Sequence, residues 1–240
     1  MAIFEEKMKE KQISINGIPA IVWGKRSKKV YLFVHGKMSC KEDAREFAEI
    51  AQKKGYQTVS FDLPEHGVRK PSFYKCDIFN CIKDTRIVAD YVFTKWKEVS
   101  LSACSLGAQI SLQCFKDEDK SRFAKVLFQS PIIDMNYLIN QMFTWFDLSE
   151  DILRSRKIVD TPVDTMTIDQ FDFYKVNTIT KWPFETQILY GAKDNMQTYQ
   201  IHKAFIDSFG GNIFVSENSE HPFMSPEDES IVKTWFEQNI

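Results

Sequence analysis

Val99-Ser100-Leu101-Ser102-Ala103-Cys104-Ser105-Leu106-Gly107-Ala108 is an apolar strand that runs into small residues and then into an amphipathic helix. Ser105 stands at the corner. A nucleophile on a sharp strand-to-helix turn needs small residues two positions before and after it. The backbone there packs against neighbouring elements while the side chain is forced into the open. Ala103 and Gly107 meet that need. The turn also sets the Leu106 N–H at a helix start, where an unpaired donor and the positive end of the dipole can stabilise an anionic oxygen. The same residues allow a plainer reading, an ordinary helix start with Ser102 or Ser105 as its N-cap.

Upstream, Ile13, Ile15, Ile18, Ile21 and Trp23 alternate around Asn16-Gly17, which predicts an antiparallel hairpin. Beyond it, strand-like runs at 30–34, 58–61, 99–101, 126–128, 186–190 and 213–215 alternate with helical spacing at about 44–51, 77–95, 106–116, 196–208 and from Pro226. This alternation predicts an α/β protein with helices on both faces of a mostly parallel sheet. The sheet is expected to have eight strands and to be antiparallel only at its start. Between about 132 and 183 the alternation breaks into an aromatic, polar stretch, which reads as an insertion in a single domain spanning 1–240.

Three further features sit at the carboxyl ends of predicted parallel strands, where open α/β sheets build their sites. His35-Gly36 follows the first of these strands, Tyr190-Gly191-Ala192-Lys193-Asp194 places a carboxylate past a late one, and His221-Pro222-Phe223 follows the last. Each has a rival or a plainer role. Asp194 could cap the helix expected near Met196, Asp134 is a competing acid, and His66 competes with His221. Cys104 precedes the serine but would point away from the apex, so it reads as buried packing.

With these residues in place the chain resembles the α/β-hydrolase family, over nearly its whole length. The order Ser, Asp, His is that family's order. Phe61-Asp62-Leu63-Pro64-Glu65-His66-Gly67 is similar to the family's D-x-P-G-H-G segment, with Glu65 in place of a glycine. The resemblance implies the α/β-hydrolase fold, with Ser105 as nucleophile, His221 as general base and Asp194 as the carboxylate that orients it. It places the oxyanion hole at the backbone N–H groups of Leu106 and Lys37, with Met38 the alternative to Lys37. The Lys37 side chain is expected to point into solvent, and His66 to be structural. It makes the insertion a small helical cap, whose Met135, Tyr137, Leu138, Met142, Phe143, Trp145, Phe146 and Leu148 offer an apolar wall. The implied activity is a serine hydrolase that cleaves carboxylic esters through an acyl-enzyme. Its substrate would be a small-molecule ester or thioester with an apolar acyl or alkyl part. A thioesterase, a small-peptide hydrolase with the same triad, and a non-catalytic ligand-binding protein of this fold remain as alternatives.

Composition excludes several other classes. At 240 residues with 43% hydrophobic content the chain can bury a full core, and 14% aromatic residues are too many for a disordered one. The net charge of −2 gives no electrostatic reason for nucleic-acid binding, and no apolar run is long enough to span a membrane. Glu5, Glu6 and Glu10 mixed with Lys7, Lys9 and Lys11 interrupt any apolar core of a secretory leader, so a cytoplasmic location is expected. Five cysteines, odd in number and without CxxC spacing, suggest free thiols. No cofactor and no metal is expected, since phosphate-loop glycines are absent and the four histidines are scattered.

Overall fold

Residues 8–71, 73–221 and 223–240 are described by a computed structural model. The acidic and basic start of the chain, residues 1–7, and Pro222 of the His221 segment lie outside the described residues. Asn16 and Gly17 both take positive φ, 48° and 85°, and join β1 (Glu10–Ile15) to β2 (Ile18–Trp23) in the hairpin that this dipeptide favours. β3 (Lys29–Val34), β4 (Gln57–Phe61), β5 (Glu98–Cys104), β6 (Val126–Gln129), β9 (Thr186–Gly191) and β10 (Gly211–Ser216) complete an eight-stranded sheet in the order β1-β2-β4-β3-β5-β6-β9-β10. β2 runs antiparallel to both of its neighbours, and every other pair is parallel.

Alternation within β3 shows why helices lie on both faces. Val30, Leu32 and Val34 pack with Val88 and Val92 of α2 (Ile78–Lys95) and with Ile110 of α3 (Leu106–Phe115). Tyr31 and Phe33 point the other way, to Phe47 of α1 (Arg45–Lys53) and to Trp235 and Phe236 of α8 (Pro226–Asn239). A strand buried on both faces reads as a continuous apolar run, which is the pattern of this sequence. β5 extends to Cys104, beyond the expected end at 101, because Ala103 pairs with Val34 and Cys104 with Gln129.

Between β6 and β9 the chain forms α4 (Met135–Trp145), α5 (Glu150–Arg156), the hairpin β7 (Ile158–Asp160) and β8 (Thr165–Thr167), and α6 (Ile168–Val176). The hairpin adds to the helices expected there. Three-residue strands are too short to leave a readable period. α7 (Tyr199–Phe209) starts three residues later than its spacing suggested, because 194–197 form a turn around the Asp194 carboxylate.

Candidate active site

β5 ends and α3 begins at Ser105, whose φ of 48° and ψ of −116° lie outside the ordinary regions for an L-residue. Such strain costs about 1–3 kcal/mol and persists only where the surroundings enforce it. Here the enforcement is visible. The Ser105 N–H donates to the Gln129 carbonyl at 3.0 Å, and its own carbonyl accepts from Ala108 and Gln109 to open the helix. At Gly107 any β-carbon would press into the carbonyl oxygens of Val34 and His35, and at Gly36 it would come within 3.4 Å of the Ser105 β-carbon. The loop after β3 and the Ser105 turn therefore abut, which requires glycine at 107 and leaves little room at 36. Although Ser105 holds the N-cap position, its side chain makes no capping bond. The plain N-cap reading fails for this residue because its hydroxyl is engaged elsewhere.

That engagement is with His221. Ser105 Oγ lies 2.7 Å from His221 Nε2, and His221 Nδ1 lies 2.7 Å from Asp194 Oδ2. The imidazole is 6% exposed and the Asp194 carboxylate fully buried. Asp194 serves both of the roles open to it in the sequence. Its Oδ1 accepts the N–H groups of Met196 at 2.7 Å and Gln197 at 3.1 Å, which leaves Oδ2 aimed at the histidine. Asp134 does not join this chain; its Oδ1 caps α4 by accepting the Tyr137 N–H at 3.0 Å.

Residues without an obvious motif hold Asp194 and His221 in place. A β-carbon at Gly191 would run into the Ser219 carbonyl, so the loops after β9 and β10 can close on each other only with glycine there. Lys193 N–H then donates to that carbonyl at 3.0 Å. The Ser219 hydroxyl donates to Asp228 and meets Ser216 Oγ, which ties the His221 loop to the first turn of α8. Asp228 completes a capping box with Ser225, a Ser-x-x-Asp signal that the sequence displays and that was left unread. Gln197 also went unread: its Oε1 accepts the N–H groups of Ile133 and Asp134, and its Nε2 donates to the Asp134 carbonyl. A lone glutamine three residues past an aspartate carries no signal by itself.

Around the Ser105 tip, Met38 takes φ of 63° and its N–H donates to His66 Nε2 at 3.2 Å. Among the described residues the Lys37 N–H meets no acceptor. Because His66 Nε2 accepts, its Nδ1 carries the proton and donates to the Pro64 carbonyl at 2.8 Å. His35 behaves alike, accepting the Leu63 N–H at Nε2 and facing the Gly36 carbonyl from Nδ1. The Lys37 side chain is exposed, as expected, and on the surface its ammonium pairs with Asp164 in the turn between β7 and β8. The partner was not foreseen, because it lies in a hairpin too short to be read from the sequence. Cys104 is desolvated, and burial pushes its thiol up to about 12.

Glu65, the departure from the D-x-P-G-H-G pattern, takes φ of 58°, a conformation that favours glycine. Its carboxylate accepts the Cys76 N–H and the Lys75 ammonium, both at 2.7 Å, contacts a glycine could not make. Below it, buried Asp62 accepts the Lys41 ammonium at 2.8 Å and the Val68 N–H at 3.1 Å. Such a buried pair fixes the loop, and removing one partner typically costs about 3–5 kcal/mol.

A cavity of about 790 Å³ lies between α3, α4 and α7, walled by Gln109, Gln113, Ile133, Phe205 and Phe209 among others. Neither Ser105 nor His221 lines it. Among the described residues no group of three or more His, Cys, Asp or Glu could hold a metal ion, and no helix is long and apolar enough to cross a membrane.

No protein-family model and no curated protein matches the chain by sequence. Solved structures do match. Est1E from Butyrivibrio proteoclasticus with ferulic acid bound superposes with a TM-score of 0.76 at 15% identity, over 95% of this chain and 96% of that one. The chain has the α/β-hydrolase fold. The mouse alpha/beta hydrolase domain-containing protein 10 is similar over 96% of this chain and 97% of its own, with a TM-score of 0.75 and 12% identity. The esterase PF2001 from Pyrococcus furiosus has a TM-score of 0.64 at 16% identity, over 98% of this chain and 91% of that chain. Each of these likenesses covers nearly the whole chain.

Proposed function

We propose that this protein is a serine hydrolase that cleaves carboxylic esters of small molecules. The observation that carries the reading is the unbroken line from Ser105 Oγ through His221 to Asp194, 2.7 Å at each step, on a serine held at φ of 48°. The esterase PF2001 and the ferulic acid bound to Est1E, both structures of like fold, support it.

The chemistry follows from proton placement. The buried Asp194 carboxylate is an acceptor, so the shared proton sits on His221 Nδ1 and the Nε2 lone pair faces Ser105. His221 takes the hydroxyl proton as Ser105 Oγ attacks the ester carbonyl, then gives it to the departing alkoxide. Asp194 stabilises the imidazolium that forms between these events. The tetrahedral oxyanion is received by the Leu106 N–H, which precedes the first bonds of α3, and by the Lys37 N–H. His66 already occupies the Met38 amide, which favours Lys37 of the two. Water then repeats the attack on the acyl-enzyme, with His221 again as base. The segment between β6 and β9 acts as a cap, its hairpin latched to the oxyanion loop through Asp164 and Lys37.

Covalent labelling tests this directly. A fluorophosphonate should add to the intact protein and not to Ser105→Ala, and p-nitrophenyl esters should be turned over with a burst of acyl-enzyme. Full-length protein that neither labels nor hydrolyses ester, thioester or amide panels would leave a ligand-binding fold without catalysis.

A further inference from the structure

Cys76 and Cys81 are used by neither the triad nor the oxyanion loop, yet their sulfurs lie 3.6 Å apart. Cys81 sits in the first turns of α2, where its N–H donates to the Asp77 carbonyl at 2.9 Å. Cys76 lies in the loop just before that helix, anchored by its N–H to Glu65 Oε2. The two thiols are unequal. Cys76 is partly exposed and Cys81 buried. The hydrogen bond shared with the Cys81 sulfur, and then the nearby His66 imidazole, hold the Cys76 thiol below the ordinary range despite its burial. The same hydrogen bond, with burial, holds Cys81 protonated. Asp164 opposes ionisation of Cys76, and Asp77 and Asp84 oppose that of Cys81. Of the remaining cysteines, burial raises Cys40 and pushes Cys104 and Cys114 up to about 12.

We propose that Cys76 and Cys81 are a modification site, a dithiol that a hydroperoxide oxidises to an intramolecular disulfide. The Cys76 thiolate attacks one peroxide oxygen; an S–O bond forms, the O–O bond breaks, and the departing oxygen leaves as water after taking a proton. The Cys81 sulfur then attacks the resulting sulfenic sulfur, forming the S–S bond and releasing a second water. Two thiols and one hydrogen peroxide give one disulfide and two waters. The partly exposed, more acidic thiol meets the oxidant and the buried, protonated one resolves it. The site borders His66, the residue that holds the Met38 amide beside the oxyanion loop.

Trypsin cuts after Lys75 and Lys83, so both cysteines fall in one peptide, 76–83. Full-length protein is treated with limiting hydrogen peroxide near pH 6, alkylated and mapped. The expected result is that this peptide becomes two hydrogens lighter and resistant to alkylation, at a rate about tenfold above oxidation of Cys40. Cys81→Ser should instead accumulate a dimedone-reactive sulfenic acid at Cys76, and Cys76→Ser should leave the peptide unoxidised. Oxidation of Cys40 ahead of Cys76, or passage of Cys76 to sulfinic acid in the wild type with no disulfide, would overturn the proposal. These readouts require no ester turnover and are independent of the hydrolase reading.

Discussion

The imidazole rings of His35 and His66 lie 5.1 Å apart, and each accepts a backbone N–H from the loop that carries the other. His35, after β3, holds Leu63; His66, after β4, holds Met38. The two loops are thereby locked in register beside Ser105.

Breaking one strap should loosen the proposed oxyanion donor without touching Ser105, His221 or Asp194. His66→Leu leaves the Met38 N–H without its acceptor, at a cost of about 1–3 kcal/mol. Steady-state kinetics should show kcat reduced about tenfold with KM nearly unchanged, since a misaligned oxyanion donor weakens the transition state more than the ground state. His66→Gln, whose side-chain oxygen can accept, should recover part of the loss. Equal loss in kcat and gain in KM for both variants would contradict a positioning role.

His35 sets an acid limit on stability. Burial drives its pKa down to about 4 from 6.5. The unfolded chain therefore takes up a proton as pH falls through 6.5 while the folded chain stays neutral until about 4, so stability is lost as pH falls across that window. The loss amounts to about 3 kcal/mol at most, at about 1.4 kcal/mol per pH unit. Urea unfolding of wild type and His35→Gln should show a gap near neutrality that closes toward the acid end. Parallel curves would remove this account.

Asp194 offers a separation of catalysis from stability. Asparagine can keep the oxygen that accepts from Met196 and Gln197 but presents the wrong group to His221 Nδ1. Ester turnover by Asp194→Asn should fall about 10⁴-fold, as expected when the imidazole tautomer is lost. The melting temperature should move by less than about 4 °C.

Gly107→Ala should act in the opposite sense. Its methyl has nowhere to go between the Val34 and His35 carbonyls, both of which are rigid backbone. Strain of this kind costs about 1–3 kcal/mol or more, read as a lower urea midpoint together with reduced fluorophosphonate labelling.

The two faces of the sheet, the Asn16-Gly17 hairpin and the tight turn at Ser105 were legible because they rest on local rules: continuous apolar strands alternating with helical spacing, positive φ at paired turn residues, and small residues where backbones cross. The short hairpin holding Asp164 was not, since three residues give no period, and the surface partner of Lys37 stayed out of reach as a result.

By itself the sequence determined the order and type of the long elements and nominated Ser105, Asp194 and His221, because those signals are written in adjacent or regularly spaced residues. Only the tertiary structure decided that Asp194 can hold two amides with one oxygen and His221 with the other, or that His66 serves Met38. It also decided which glycines are indispensable. Those facts depend on where loops from four separate strands come to rest against one another. Hydrogen-bond partners and steric contacts of that kind are set by through-space distance, which no local pattern of residues encodes.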